Sequence, residues 1–221
     1  MMISKFKQLE NNITPRNSTA EYCIVHYTNN YDAGSNAEMH YKYFNSVREE
    51  GSSADFVVDE NTAFQMNDYR KYYTWHTYTN REKSIGNYNS ASVETCVNSD
   101  GDLHKALLNT AIVVADICID LDIPMSRVLR HYDVTKKICP AYFVDLTIKE
   151  IDPRWIYFKS QVEKIILSKT MTFDKALEVL TDALVINSPE YWRRYAFPWK
   201  ETLFINMANH IVLSKGAIKH E

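Results

Sequence analysis

The stretch Tyr22–Tyr27, YCIVHY, decides the fold. It is short, apolar and β-prone, and the chain turns straight after it at Thr28-Asn29-Asn30, which predicts a central strand whose end delivers His26. Working outward, Asn36 is placed to cap a helix over residues 36–49, where Ala37, His40, Tyr41, Phe44 and Val47 recur at helical spacing. SADFVVD (53–59) predicts a second strand and AFQM (63–66) a third, parted by the polar turn Asp59–Asn61. SVETCV (92–97) predicts another, with Val93, Thr95 and Val97 on one face and Glu94 and Cys96 on the other. Leu103–Leu121 is the clearest helix; its apolar residues cover more than one stripe, so it is expected to be well buried, and Pro124 stops it. Alternating strands and helices predict an α/β body with a mixed central β-sheet flanked by helices.

Two stretches break this alternation. Residues 67–89 are polar and Tyr-rich with no sustained period, as expected of a functional surface loop. SRVLRHYDVT (126–135) is expected to carry His131 on an exposed turn. Past Asp152–Pro153 only helical patterns remain: 155–168, then FDKALEVLTDALV (173–185) behind a Thr172 cap, then a helix started by Ser188 and Pro189, then ETLFINMANHIVL (201–213). The expected organisation is a body over 1–152 and a small all-helical C-terminal domain over 153–221.

Composition bounds the function. In 221 residues, 45% hydrophobic and 13% aromatic content supports a packed core and does not indicate disorder, and five Gly and six Pro exclude collagen-like or linker-rich classes. A net charge of −3 gives no nucleic-acid footprint. Residues 153–221 are mildly basic, with ten Lys/Arg against seven Asp/Glu, whereas 1–152 carry fifteen against twenty-one. That asymmetry suits an anionic polymer, or is simply solvated surface. Cys23, Cys96, Cys118 and Cys139 are scattered without CxxC pairing, so no disulfide framework is expected. The opening MMISKFKQLENN lacks an apolar signal-peptide core and no run reaches membrane-spanning length, which predicts a soluble, intracellular product without a membrane partner.

RHYDVTKKICP (130–140) places His131 and Cys139 eight residues apart, with His26 far upstream. Two imidazoles and a thiolate are ligands zinc favours, and three protein ligands leave a fourth position for water, the pattern of a catalytic rather than a structural site. The same three residues also read as ordinary buried His and Cys.

IVHYT, SADFVVDE, AFQ, WH, NSASVETCVNSDGD and RHYDVTKKICP occur in the order found in zinc-dependent N-acetylmuramoyl-L-alanine amidases. Over residues 20–145 the chain resembles this type 2 amidase family, which includes phage endolysins and is similar to peptidoglycan recognition proteins. The resemblance implies the amidase/peptidoglycan-recognition-like α/β fold. It implies zinc held by His26, His131 and Cys139, with Glu94 as general base and proton shuttle, Lys137 stabilising an oxyanion, and His76 lining the substrate groove. It also implies peptidoglycan as the partner, cut between N-acetylmuramic acid and L-alanine. Some members place a Tyr where this chain has Ala54, so that helper is missing here and Glu94 and Lys137 are left with its share. By residues alone Glu94 is a strand carboxylate on a solvated face, and His40, His104 and Cys96 read as surface or packing residues.

The tail, around TFDKALEVLTDALVINSPEYW (172–192) and LFINMANHIV (203–212), resembles C-terminal modules of clostridial phage endolysins and autolysins. That implies binding to a wall polymer or self-association, so an oligomer stays open. A helical appendage that stabilises the body is the alternative. The whole reads as an endolysin held in the host bacterial cytoplasm until release to the cell wall. The alternatives are a bacterial autolysin, a non-catalytic peptidoglycan-binding protein of the same fold, and a metal-free thiol enzyme using Cys139.

Overall fold

The computed structural model describes residues 2–47, 51–77, 85–148, 150–194 and 200–214. Met1–Val162 and Glu163–Glu221 form two compact units. The first runs, in chain order, β1 (Ile3–Phe6), β2 (Ile13–Pro15), β3 (Tyr22–Tyr27), α1 (Ala37–Phe44), β4 (Phe56–Val58), β5 (Thr62–Gln65), β6 (Tyr72–Thr74), β7 (Ser90–Thr95), α2 (Leu103–Leu121), β8 (Val128–Arg130), α3 (His131–Thr135) and the first half of α4 (Pro153–Lys169). The second holds the rest of α4, then α5 (Phe173–Asp182), α6 (Pro189–Arg194) and α7 (Lys200–Ser214).

Six strands make one mixed sheet in the order β1-β5-β4-β7-β3-β8, and β2 and β6 form a separate antiparallel pair. β4, β7, β3 and β8 are mutually parallel, while β5 pairs antiparallel to β4 through the tight turn at Asp59. Asp59 makes that turn because its Oδ1 accepts from the amides of Asn61 (2.8 Å) and Thr62 (2.6 Å), as Asx turns do. Four parallel strands bring their carboxyl ends to one edge, where open α/β sheets place their ligand crevices.

Each sheet face has its own cover. On one, Tyr41, Phe44 and Ala37 of α1 pack with Leu9, Ala54, Val57, Phe64, Met66 and Cys96. α2 packs against β3, β4, β5 and β7, and the Thr95 hydroxyl on β7 meets that of Thr110 at 2.9 Å. The ends of these helices are set by their caps. Asn36 accepts from the Met39 amide, Asp102 accepts from the Lys105 amide, and Asp122 closes α2 in the left-handed region at φ 54°. No helix among the described residues is long and apolar enough to cross a membrane.

The helical unit has a separate core in which Leu177, Leu180, Phe204, Ala208 and Val212 bury their side chains. α5 starts where Thr172 accepts from the Lys175 amide. The division between units falls inside α4, ten residues beyond the boundary expected at 152/153. Trp155 and Phe158 on its first half are buried and stack on each other with Phe143 beside them, so this half belongs with the sheet.

Several expectations need correction. β1, β2, β6 and β8 are three or four residues long, too short to show a period. The stretch 67–89 is not wholly irregular: Tyr72–Thr74 pairs with Ile13–Pro15, and residues 78–84 lie outside the described residues. His131 is not on an exposed turn; it is 5% exposed and opens α3. The reason is Arg130, which folds inward to pair with Asp133 at 2.7 Å and donates to the Phe143 carbonyl at 2.6 Å, drawing the segment into the body.

Candidate metal centre and active site

His26 is the penultimate residue of β3 and Glu94 that of β7, and the two are in register across the parallel pair. The alternation along β7 turns Glu94 and Cys96 to the α1 side, because Thr95 points to α2. β8 lies on the other flank of β3 and hands the chain directly to His131. The segment after α3 folds back so that the Cys139 carbonyl accepts from the Tyr132 amide at 2.9 Å, and this return brings the Cys139 sulfur to the same edge.

The structure therefore brings together three residues that are 105 and 8 positions apart in the chain: ligand atoms of His26, His131 and Cys139 all lie within 4.8 Å of one another. His26 Nδ1 is 3.7 Å from Cys139 Sγ, and the His26 and His131 rings meet edge-on with centroids 4.7 Å apart. His131 Nδ1 is buried with no hydrogen-bond partner among the described residues. A buried nitrogen without a partner, beside a second imidazole and a thiol, is the donor set that suits a zinc ion.

Burial sets the protonation of the cluster. It holds His131 down at about 4, helped by the charge of Lys137, and holds His26 well below the ordinary imidazole range, with His76, His131 and Lys137 adding to the effect. Both rings are neutral at pH 7, the form that ligates a metal. Burial, reinforced by Glu94, lifts the Cys139 thiol to about 12, and a bound cation is what would bring it to the thiolate. Glu94 is raised to about 7 by burial, with Lys137 opposing. The residue is part-exposed, yet its Oε2 is buried and unpartnered among the described residues.

These groups line a cavity of about 580 Å³. Lys137 lines it with an otherwise exposed side chain, and Met39, His40 and Tyr43 of α1 line it as well. His76 lines it too, but both ring nitrogens are engaged: Nδ1 is 3.1 Å from His26 Nε2 and Nε2 is 3.2 Å from Ser90 Oγ. Asn87 holds this loop, its Oδ1 accepting from the amides of His76 (3.0 Å) and Thr77 (2.7 Å). Ala54 lies fully buried in the α1 core cluster, so it contributes no polar atom to the cavity. His104 is exposed and Cys96 is buried in the core, as expected. His40 is buried on α1 and faces the cavity, a place its helical periodicity alone did not mark. Asn87 and Ser90 also belong to the surroundings of His76 and were not marked as such: Asn87 lies in a polar stretch without a period, and Ser90, the first residue of β7, has no feature that ties it to His76 before folding.

A mixed sheet thus carries at its strand ends a His-His-Cys group that could hold a metal ion, with the Glu94 carboxyl beside it. Residues 16–142 match the N-acetylmuramoyl-L-alanine amidase family, and the chain belongs to that family. It is 31% identical over 159 residues to N-acetylmuramoyl-L-alanine amidase CwlL of Bacillus licheniformis, a match covering 67% of this chain and 42% of that protein. Among solved structures it is similar to a mutant endolysin from Bacillus subtilis, with 25% identity, a TM-score of 0.63, and coverage of 73% of this chain and 99% of that one. The catalytic domain of PlyG gives 27% identity, a TM-score of 0.63, and coverage of 76% and 98%. The chain spans less than half the length of the curated relatives it matches.

Proposed function

We propose that this chain is a zinc-dependent peptidoglycan hydrolase of endolysin type, cleaving the amide that joins the lactyl group of N-acetylmuramic acid to L-alanine. One observation carries the reading: His26, His131 and Cys139 converge in a single cavity with Glu94 and Lys137, inside the region that matches the amidase family. His26, His131 and Cys139 would hold the ion. Bound there, zinc supplies a Lewis acid for the scissile carbonyl and lowers the pKa of water to about 7.

The remaining work belongs to side chains. A carboxyl at about 7 takes and returns a proton near neutral pH, so Glu94 serves as base toward the attacking water and then as acid toward the leaving L-alanine amine. Lys137 brings a positive charge to the cavity wall, where the tetrahedral stage develops an oxyanion. The α1 wall offers the Tyr43 ring and the Met39 side chain as apolar surface for sugar and peptide. The helical unit serves as a wall-binding or self-association module, and the protein passes from the host cytoplasm to the cell wall on release. The test is the appearance of new N-terminal alanine when purified walls are incubated with the zinc-loaded chain; its absence refutes the reading.

A further inference from the structure

The contacts behind His26 run in one direction. Ser90 Oγ lies 2.6 Å from the Gly86 carbonyl oxygen, and that oxygen has no proton, so the single hydroxyl proton of Ser90 is committed there. Ser90 Oγ is also 3.2 Å from His76 Nε2, and with its own proton spent it accepts from His76 Nε2–H. A neutral His76 protonated on Nε2 leaves Nδ1 as a bare acceptor. His76 Nδ1 is 3.1 Å from His26 Nε2, so His26 carries its proton on Nε2. The lone pair of His26 then falls on Nδ1, the nitrogen that faces Cys139 Sγ at 3.7 Å.

From this we infer that His76 is a positioning residue: the relay Gly86–Ser90–His76–His26 fixes the tautomer and ring orientation of His26 so that Nδ1 is the metal-binding atom. The proposal rests on the reading of His26, His131 and Cys139 as zinc ligands, and it moves His76 from the wall of a substrate groove to the support of the metal. Ligating imidazoles generally donate their second N–H to a fixed acceptor. Here the acceptor is a second imidazole, oriented in turn by a hydroxyl. The backbone that carries the relay is anchored as well: Asn87 holds the amide of His76, and Arg16 donates to the carbonyls of Tyr88 (2.7 Å) and Ser90 (2.8 Å).

The long-range ¹⁵N–¹H correlation spectrum of the metal-free full chain separates protonated from bare ring nitrogens. It is expected to show His26 and His76 each protonated on Nε2. In His76→Leu the His26 tautomers mix, and zinc affinity, measured by competition with a chromophoric chelator, falls about 10- to 100-fold. His76→Asn, whose Oδ1 falls near the place of Nδ1, restores both. Ser90→Ala shifts the His26 tautomer in the same sense although it removes no group from the ligand set; if His76→Leu does not fold, Ser90→Ala and the wild-type spectrum decide. A His26 proton on Nδ1 in the wild type overturns the inference, as do unchanged tautomer and affinity in both variants. Neither readout uses wall substrate, so an intact relay in a chain that releases no alanine refutes only the amidase reading.

Discussion

Glu94 stands opposite His26 across the β3–β7 pair, with its Oε2 buried and unpartnered among the described residues. A carboxyl oxygen kept dry and unbonded next to a histidine proposed as a metal ligand is poised to hold a transferable proton. Glu94→Gln preserves volume and removes that capacity. Amide release from walls is expected to fall about 10²- to 10⁴-fold with zinc content unchanged. A variant that retains wild-type turnover would move the base elsewhere.

The same carboxyl makes stability depend on pH in the metal-free chain. Burial raises its folded-state pKa from 4.5 to about 7, so between those values the folded chain holds a proton that the unfolded chain has released. Stability from this group is full below 4.5 and is lost as pH rises through about 7. Glu94→Gln should therefore match the wild type in melting temperature at pH 4 and exceed it at pH 8, measured after chelation. Parallel curves across that range would count against a proton stored at this site.

How much of this was legible beforehand depended on period. YCIVHY and Leu103–Leu121 have their observed bounds because an apolar run and a long stripe leave strong local patterns. His26, His131 and Cys139 could be picked out as candidate ligands from the ordered motifs, but their meeting could not: the spacing of His131 and Cys139 says nothing about a strand 105 residues upstream. The inward turn of His131 escaped notice because Arg130 looks like a surface residue until its partners, Asp133 and the Phe143 carbonyl, are in place. The burial of Ala54 likewise belongs to a core cluster shared with Leu9 and Tyr41, which no local window contains.

Removing metal or a ligand gives the next outcome. Chelation should abolish wall hydrolysis and added zinc should restore it. His131→Ala and Cys139→Ala should each lose stoichiometric zinc by elemental analysis together with activity. Cys139→Ala that keeps both would favour another ligand; activity that survives chelation would favour thiol chemistry at Cys139.

Lys137 and Lys136 are adjacent and both exposed, but only Lys137 has its charge felt at Glu94, His26 and His131. Lys136 lies over the Tyr132 ring, 5.1 Å from its centroid. Lys137→Met should lower turnover about 10²- to 10³-fold, on the scale of losing one oxyanion donor. Lys136→Met should stay within a few-fold of wild type. Equal effects in the two variants would mean that the general field, not a placed ammonium, is what counts.

Asp55 is fully buried and ties β6, β7 and the segment that follows β5 together behind the site. It accepts from Asn67 Nδ2 at 2.6 Å, the Ser92 amide at 2.7 Å and Thr74 Oγ1 at 3.2 Å; Thr74 precedes His76 by two residues and Ser92 precedes Glu94 by two. Asp55→Ala leaves several buried donors unpaired, at about 1–3 kcal/mol each. Denaturant unfolding should show a loss of about 3 kcal/mol or more, with weaker zinc binding because both flanks of the site loosen. A loss below about 1 kcal/mol would mean that the donors find other partners.

The role of the helical unit turns on where the chain is cut. A chain ending at residue 152 would lose Trp155, Phe158 and Val162, all buried in the first unit, at a cost of about 3–5 kcal/mol for each aromatic. Its failure on walls would then report instability rather than targeting. A chain ending at residue 162 keeps these residues, so its melting temperature should stay near that of the full chain. It should cleave soluble muropeptide at the full-length rate yet sediment less with purified walls, and equal sedimentation of the two chains would remove wall targeting from the helical unit.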